Sequence, residues 1–139
     1  MTSTLTLPAS PYEFSYRVAR HDCADFLALE QGDAFPQVLA TNRVVGLLEV
    51  AAARLMRDAL PEGHFSVGVG VDIRHVAPTP IGAVVRFHAE FVGMQGRLYE
   101  FVVTAVDHAG VAAEGRHTRA VVSLDRLMGQ ASKRATAGG

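Results

Sequence analysis

The 139-residue sequence predicts an α+β fold in which an antiparallel sheet wraps one long helix, and three patterns carry that prediction. Residues 41–60 place apolar side chains at helical spacing. Four strand-like segments follow, at 65–77, 83–94, 97–107 and 111–125. Their separators, Pro78-Thr-Pro-Ile-Gly82, Gly93-Met-Gln-Gly96 and Asp107-His-Ala-Gly110, are short turn sequences that suit antiparallel hairpins rather than crossover units. Gly46 and Ala51 to Ala53 also keep the helix thin on one side, which lets a sheet close around it.

Along the chain, residues 1–11 read as a flexible N-terminal arm, and residues 12–20 alternate apolar and polar side chains, as a half-buried first strand does. Residues 21–36 show no clean period. Asp22 or Asp25 is placed to cap a short helix through Phe26, Leu27 and Leu29 that Gly32-Asp33 ends, giving a mobile covering segment. Thr41 or Asn42 is the expected N-cap of the long helix, and Pro61-Glu-Gly63 stops it. At about 100° per residue, Val45, Gly46, Ala52, Ala53 and Met56 surround Glu49, so that Glu49 points into the protein. In the next strand, strict alternation puts Val67, Val69, Val71, Ile73 and His75 on one face and Ser66, Gly68 and Gly70 on the other. Residues 127–139 are small and polar without a period, a flexible tail, which leaves one domain over 12–126.

Bulk properties exclude several classes of function. With 13 Lys+Arg against 14 Asp+Glu there is no electrostatic footprint for nucleic acid. No apolar run approaches the roughly 20 residues of a membrane helix. Cys23 is the single cysteine, which excludes an intramolecular disulfide and a multi-thiolate zinc site and fits a reducing cytoplasm. The N-terminus lacks the basic and apolar regions of a secretory signal. No pair of histidines has a metal-binding helix spacing, so no metal is expected.

Three side chains stand out against their apolar surroundings. A carboxylate in an Ala/Val/Leu/Met helix costs several kcal/mol unless it is paired or used, which singles out Glu49. His75 lies in line with an apolar strand face, either as a core histidine satisfied by a carbonyl or as a functional group. Thr41 is accounted for as an N-cap if taken alone. Eight residues separate Thr41 from Glu49, about 12 Å of helix rise, so the two meet only across a substrate or a subunit boundary.

Phe35-Pro36, Ala40-Thr41, Val45-Gly46-Leu47, Glu49, Gly68, His75 with Ala77-Pro78-Thr79-Pro80, and Gly115 through His117 to Arg119-Ala120-Val121 occur in an order and spacing that resemble the single-domain hotdog-fold acyl-CoA thioesterases, most closely the fluoroacetyl-CoA thioesterase type. The resemblance covers 12–126 and implies a hotdog fold and hydrolysis of a small acyl-CoA thioester to free acid and CoA. It implies that Thr41, Glu49 and His75 form one catalytic unit at a homodimer interface. It implies no cofactor, since the CoA thioester is the substrate. Glu49 either attacks the carbonyl or activates water, with His75 as proton-transfer or electrostatic partner. Gly68 matches a glycine at which substrate approaches the backbone, though a packing glycine is an equal reading. Arg119 matches an arginine of the site region, and Arg43 at the helix entrance is a further phosphate-binding candidate by location. Phe35 keeps one aromatic of the family's phenylalanine-rich lid. Gly32 and Asn42-Arg43 depart from that lid, with Phe26 a substitute from the covering segment, so little preference for fluorine is expected. The alternatives are a non-catalytic acyl-CoA-binding hotdog protein and, less favoured, an enoyl-CoA hydratase, whose Asp-x4-His pairing is missing from the helix region.

Overall fold

The computed structural model describes residues 4–137; residues 1–3 of the expected arm and 138–139 of the expected tail lie outside them. Strands β1 (Tyr12–Arg17), β2 (His64–His75), β3 (Val84–Gln95), β4 (Leu98–Asp107) and β5 (Gly110–Ser123) form one antiparallel sheet in the order β1-β3-β4-β5-β2, and helix α1 (Thr41–Met56) packs on it. This is the α+β arrangement the patterns predict, with β1 and β2 as its edges. The β3–β4 hairpin turns at Gly96, whose φ of 63° strains any residue with a Cβ.

Helix α1 buries Val44, Leu47, Leu48, Ala51, Ala52, Leu55 and Met56, one stripe at spacings of three and four. They share a core with Val85, Phe87 and Ala89 of β3 and Phe101 and Val103 of β4. Ala51 and Ala52 have no bulk to hold the sheet away. The stripe is centred near Leu48 and Leu55, which leaves Glu49 on its flank with a side chain 38% exposed. The expectation that Glu49 points into the protein is therefore corrected: within one chain it faces the rim of the sheet, where its desolvation cost is small.

Four further expectations change. Ala40, not Thr41 or Asn42, is the N-cap of α1, and no side chain caps it. Residues 21–36 contain no α-helix; two 3-10 turns, Arg20–Asp22 and Ala24–Leu27, are pinned instead by a bridge between Cys23 and Leu39 and by the Ala24 N–H donating to the Val38 carbonyl at 2.9 Å. The described part of the arm is docked. Leu5 and Leu7 pack on the core, and the Leu5 N–H donates to the Tyr99 hydroxyl at 2.8 Å, because Thr4-Leu-Thr-Leu7 alternates like a strand. The aperiodic tail gives way to helix α2 (Leu124–Ala137), which buries none of its residues and starts where the Leu124 N–H donates to the Gly63 carbonyl.

Strand β2 also breaks the strict alternation. Gly68 pairs with Arg119 and Gly70 with Thr118, so Val69 is an extra residue in a β-bulge. Directly paired residues share a face, and Val71 pairs with His117 while His75 pairs with Ala113. The bulge thus brings Gly68 onto the same helix-facing side as Val71, Ile73 and His75, where alternation had put it opposite.

Candidate active site

At the N-terminus of α1, Ala40 takes the capping position and leaves the Thr41 hydroxyl free of backbone duty. Thr41 Oγ1 lies 2.8 Å from His75 Nδ1, at the end of β2. The pair sits on the wall of a mostly apolar cleft of about 510 Å³ lined also by Leu27, Phe35, Val38, Val76 and Pro78. Phe35 lines this cleft, 45% exposed. Phe26 is not on this wall and instead stacks under the Arg20 guanidinium, 4.6 Å from its centroid.

Two clamps hold this pair. Asp22 is fully buried; its carboxylate accepts from the Tyr16 hydroxyl, the Ala19 N–H and Arg43 Nε, each at 2.7 Å, and its carbonyl accepts the Ala40 N–H at 2.9 Å. Burial pushes the Asp22 carboxyl upward, but the hydrogen bonds from Tyr16, Ala19 and Arg43 outweigh it and leave it below the ordinary value. On the other side, Thr79 Oγ1 donates to Asp107 at 2.8 Å while the Thr79 carbonyl accepts the Leu39 N–H at 2.9 Å, fixing the loop that follows His75. The bond to Asp22 explains a cation in the first turn of α1 without any phosphate. Arg43 is thereby accounted for as the partner of Asp22 rather than by a CoA phosphate.

Burial holds the His75 imidazole below the ordinary histidine value, so it is neutral near pH 7. Among the described residues its Nε2 is buried without a hydrogen-bond partner, while the Ala77 backbone pulls the imidazole value up against burial. A proton on Nδ1 donates to Thr41 Oγ1 and leaves the Thr41 O–H free to donate into the cleft, whereas a proton on Nε2 makes Nδ1 the acceptor of the Thr41 O–H.

The second cluster surrounds Glu49. Arg119 is 6% exposed and all of its contacts are internal: Nε donates to Ser66 Oγ at 3.0 Å, Nη2 to the Ser66 carbonyl at 2.9 Å, and Nη1 to Glu49 Oε1 at 3.1 Å and to His117 Nε2 at 3.0 Å. Placed this way, Arg119 is no phosphate-binding cation at the mouth of the site; it is the counter-ion of Glu49. Gly68 completes the cradle. A Cβ at Gly68 would overlap Glu49 Oε1 and press on His117 Cε1. In this chain the glycine leaves open the space that the carboxylate occupies. On the resemblance's expectation that Glu49 is catalytic, Gly68→Ala should displace it and lower kcat by about 10²-fold, the cost of a misplacement near 1 Å, with little change in melting temperature. Wild-type turnover in Gly68→Ala would show that the position of Glu49 is unimportant.

The structure brings Thr41, His75 and Phe35 together, and separately Glu49, Gly68 and Arg119. It does not join the two groups within one chain, because Thr41 and Glu49 remain about 12 Å apart along the helix. Two residues at these clusters were not singled out as site residues from sequence. His117 lies two residues before Arg119 on β5 and so shares its face, a signal that was present; buried Asp22 lies in an aperiodic segment and gave none.

The profile of the fluoroacetyl-CoA-specific thioesterase family matches residues 18–125. The fluoroacetyl-CoA thioesterase of Streptantibioticus cattleyicolor is 36% identical over 104 residues, covering 75% of each chain. Among solved structures, a phenylalanine-to-alanine mutant of the fluoroacetyl-CoA-specific thioesterase in complex with fluoroacetate and CoA aligns with a TM-score of 0.79 at 32% identity, over 86% of this chain and 97% of that one. A hot-dog-like protein from Thermanaerovibrio acidaminovorans aligns with a TM-score of 0.80 at 25% identity, over 91% and 90% of the two chains.

Proposed function

Because this chain belongs to the fluoroacetyl-CoA-specific thioesterase family and has its hotdog fold, we propose that it hydrolyses a small acyl-CoA thioester to the free acid and CoA, with Thr41, His75 and Glu49 acting at the carbonyl. The observation that carries this reading is the 2.8 Å contact between Thr41 and His75 on the wall of an apolar cleft. The cleft takes the acyl group. The Thr41 O–H, oriented by His75 Nδ1–H, donates to the carbonyl oxygen, where negative charge develops. Glu49 accepts a proton from water as the water oxygen bonds to the acyl carbon. The C–S bond then breaks and the same proton passes to the departing CoA sulfur.

This chemistry needs Glu49 beside Thr41, and a homodimer supplies it. Strand β2 is a sheet edge bearing exposed Phe65, Val69 and Val71, an open ladder that invites a second strand. Two β2 edges pairing antiparallel about a two-fold axis run in opposite directions, so the Gly68 end of one approaches the His75 end of the other. The half-exposed Glu49 of one protomer and the cleft of its partner then form one site. A second copy is the occupant we assign to this edge.

Thiol release from acetyl-, fluoroacetyl-, propionyl-, phenylacetyl- and longer acyl-CoAs tests the activity and its specificity. Turnover is expected on small acyl groups, with fluoroacetyl- and acetyl-CoA within about 10²-fold of each other in kcat/KM, because Gly32 and Arg43 stand in place of aromatic residues that would wall out water. A ratio in the thousands would overturn the specificity, and no turnover on any ester would overturn the activity.

A further inference from the structure

We propose that His117 is a positioning residue: as a neutral imidazole protonated on Nδ1, it holds the Arg119 guanidinium against the Glu49 carboxylate, and protonation of its Nε2 releases that hold. The kinetic consequence rests on the thioesterase reading above; the state of the ring does not.

Both ring nitrogens have partners that allow one assignment. Arginine is only a donor, so Nε2, at 3.0 Å from Arg119 Nη1, must be the unprotonated acceptor. The Gly70 carbonyl is only an acceptor, so Nδ1, at 2.8 Å from it, must carry the proton. The ring is 2% exposed. The groups facing it are Glu49 from α1, with Oε1 4.0 Å from Nε2, Arg119 from β5 itself, the Gly70 carbonyl from β2, and the Phe101 ring from β4, with centroids 6.4 Å apart. One anion and one cation therefore meet this imidazole, and its lone pair is directed at the cation.

A proton on Nε2 would put two donors, both cationic, 3.0 Å apart. Arg119 would have to swing off His117, or Glu49 would have to leave the Gly68 cradle to bridge them; either movement undoes the arrangement at the carboxylate. Burial holds His117 below the ordinary histidine value of 6.5 and Arg119 adds to this, against the opposing pull of the Gly70 carbonyl and Glu49. The folded chain thus binds this proton more weakly than the unfolded chain. The stability linked to the neutral ring is complete above about pH 6.5 and is lost as the pH falls toward the folded-state value.

Long-range proton–nitrogen NMR of the imidazoles in the wild-type protein should show His117 as the Nδ1–H tautomer from neutral pH upward, and Glu49→Gln should lower its titration midpoint by removing the facing anion. An Nε2–H tautomer, or a midpoint indifferent to Glu49→Gln, would overturn the proposal even if no acyl-CoA were hydrolysed. In kinetics, His117→Gln places an amide oxygen where Nε2 was and cannot titrate there. It should keep kcat at pH 8 within about threefold of wild type, with KM unchanged, and should lose one proton from the acid limb of the pH profile. His117→Leu leaves Arg119 without its acceptor and should lose about thirtyfold or more in kcat at the same pH. Equal kcat in the two variants, or a wild-type acid limb in His117→Gln, would overturn it.

Discussion

Glu49→Gln is expected to lower kcat for thiol release by about 10²- to 10⁴-fold, the usual span for a positioned general base, and to leave a folded protein. The amide keeps an oxygen for Arg119 Nη1, so the substitution removes the basicity of the carboxylate while sparing the neighbouring hydrogen bonds. Circular dichroism and the melting temperature check the fold, and thiol release measured at saturating acyl-CoA checks kcat. A folded Glu49→Gln within threefold of wild type would remove Glu49 from the chemistry. A single turnover run in ¹⁸O-water tests for a covalent route: label in the peptide containing Glu49 would make the carboxylate the nucleophile, through an anhydride opened at the Glu49 carbonyl.

Mixing Glu49→Gln subunits with Thr41→Val subunits, each nearly inactive alone, is expected to restore about a quarter of wild-type turnover. After random exchange half of the dimers are mixed, and in a composite site one of the two sites of each mixed dimer carries both native residues. The expectation follows from distance. Thr41 and His75 touch at 2.8 Å, whereas Thr41 and Glu49 of the same helix are separated by about 12 Å of rise. The exchange is checked by mass-tagging one variant, and thiol release is followed as the mixture equilibrates. Mixed dimers with no activity would place each site wholly inside one subunit, and a chain that stays monomeric in light scattering at working concentration would remove the shared site altogether.

Much of this was legible in sequence because it depends on periods that are short compared with the elements. The helical spacing from Val44 to Met56 and the turn residues between the strands are local properties, and they gave the class and the order and approximate bounds of α1 and of β2 to β5. Thr41, Glu49 and His75 stood out because each is a polar group in an apolar period. Less legible were segments with no period. The 3-10 turns from Arg20 to Leu27, and with them buried Asp22, are set by long-range bonds to Tyr16, Ala40 and Arg43 that no local window contains.

The sequence by itself determined the sheet wrapped on a helix through its spacing, and the resemblance of its motifs to the hotdog thioesterases pointed to the family and to the three residues at which chemistry was sought. Tertiary structure alone decided where those residues face. One extra residue at Val69 reverses the side of β2 on which Gly68 lies, because side-chain direction has a period of two and a bulge shifts it by one. Arg119 became a buried counter-ion rather than a surface cation, and Gly68 a cradle for a carboxylate, only once β5, β2 and α1 were laid against one another. Such assignments depend on which strands pair and in what register, and that is settled by burial of the whole core rather than by any stretch of chain within it.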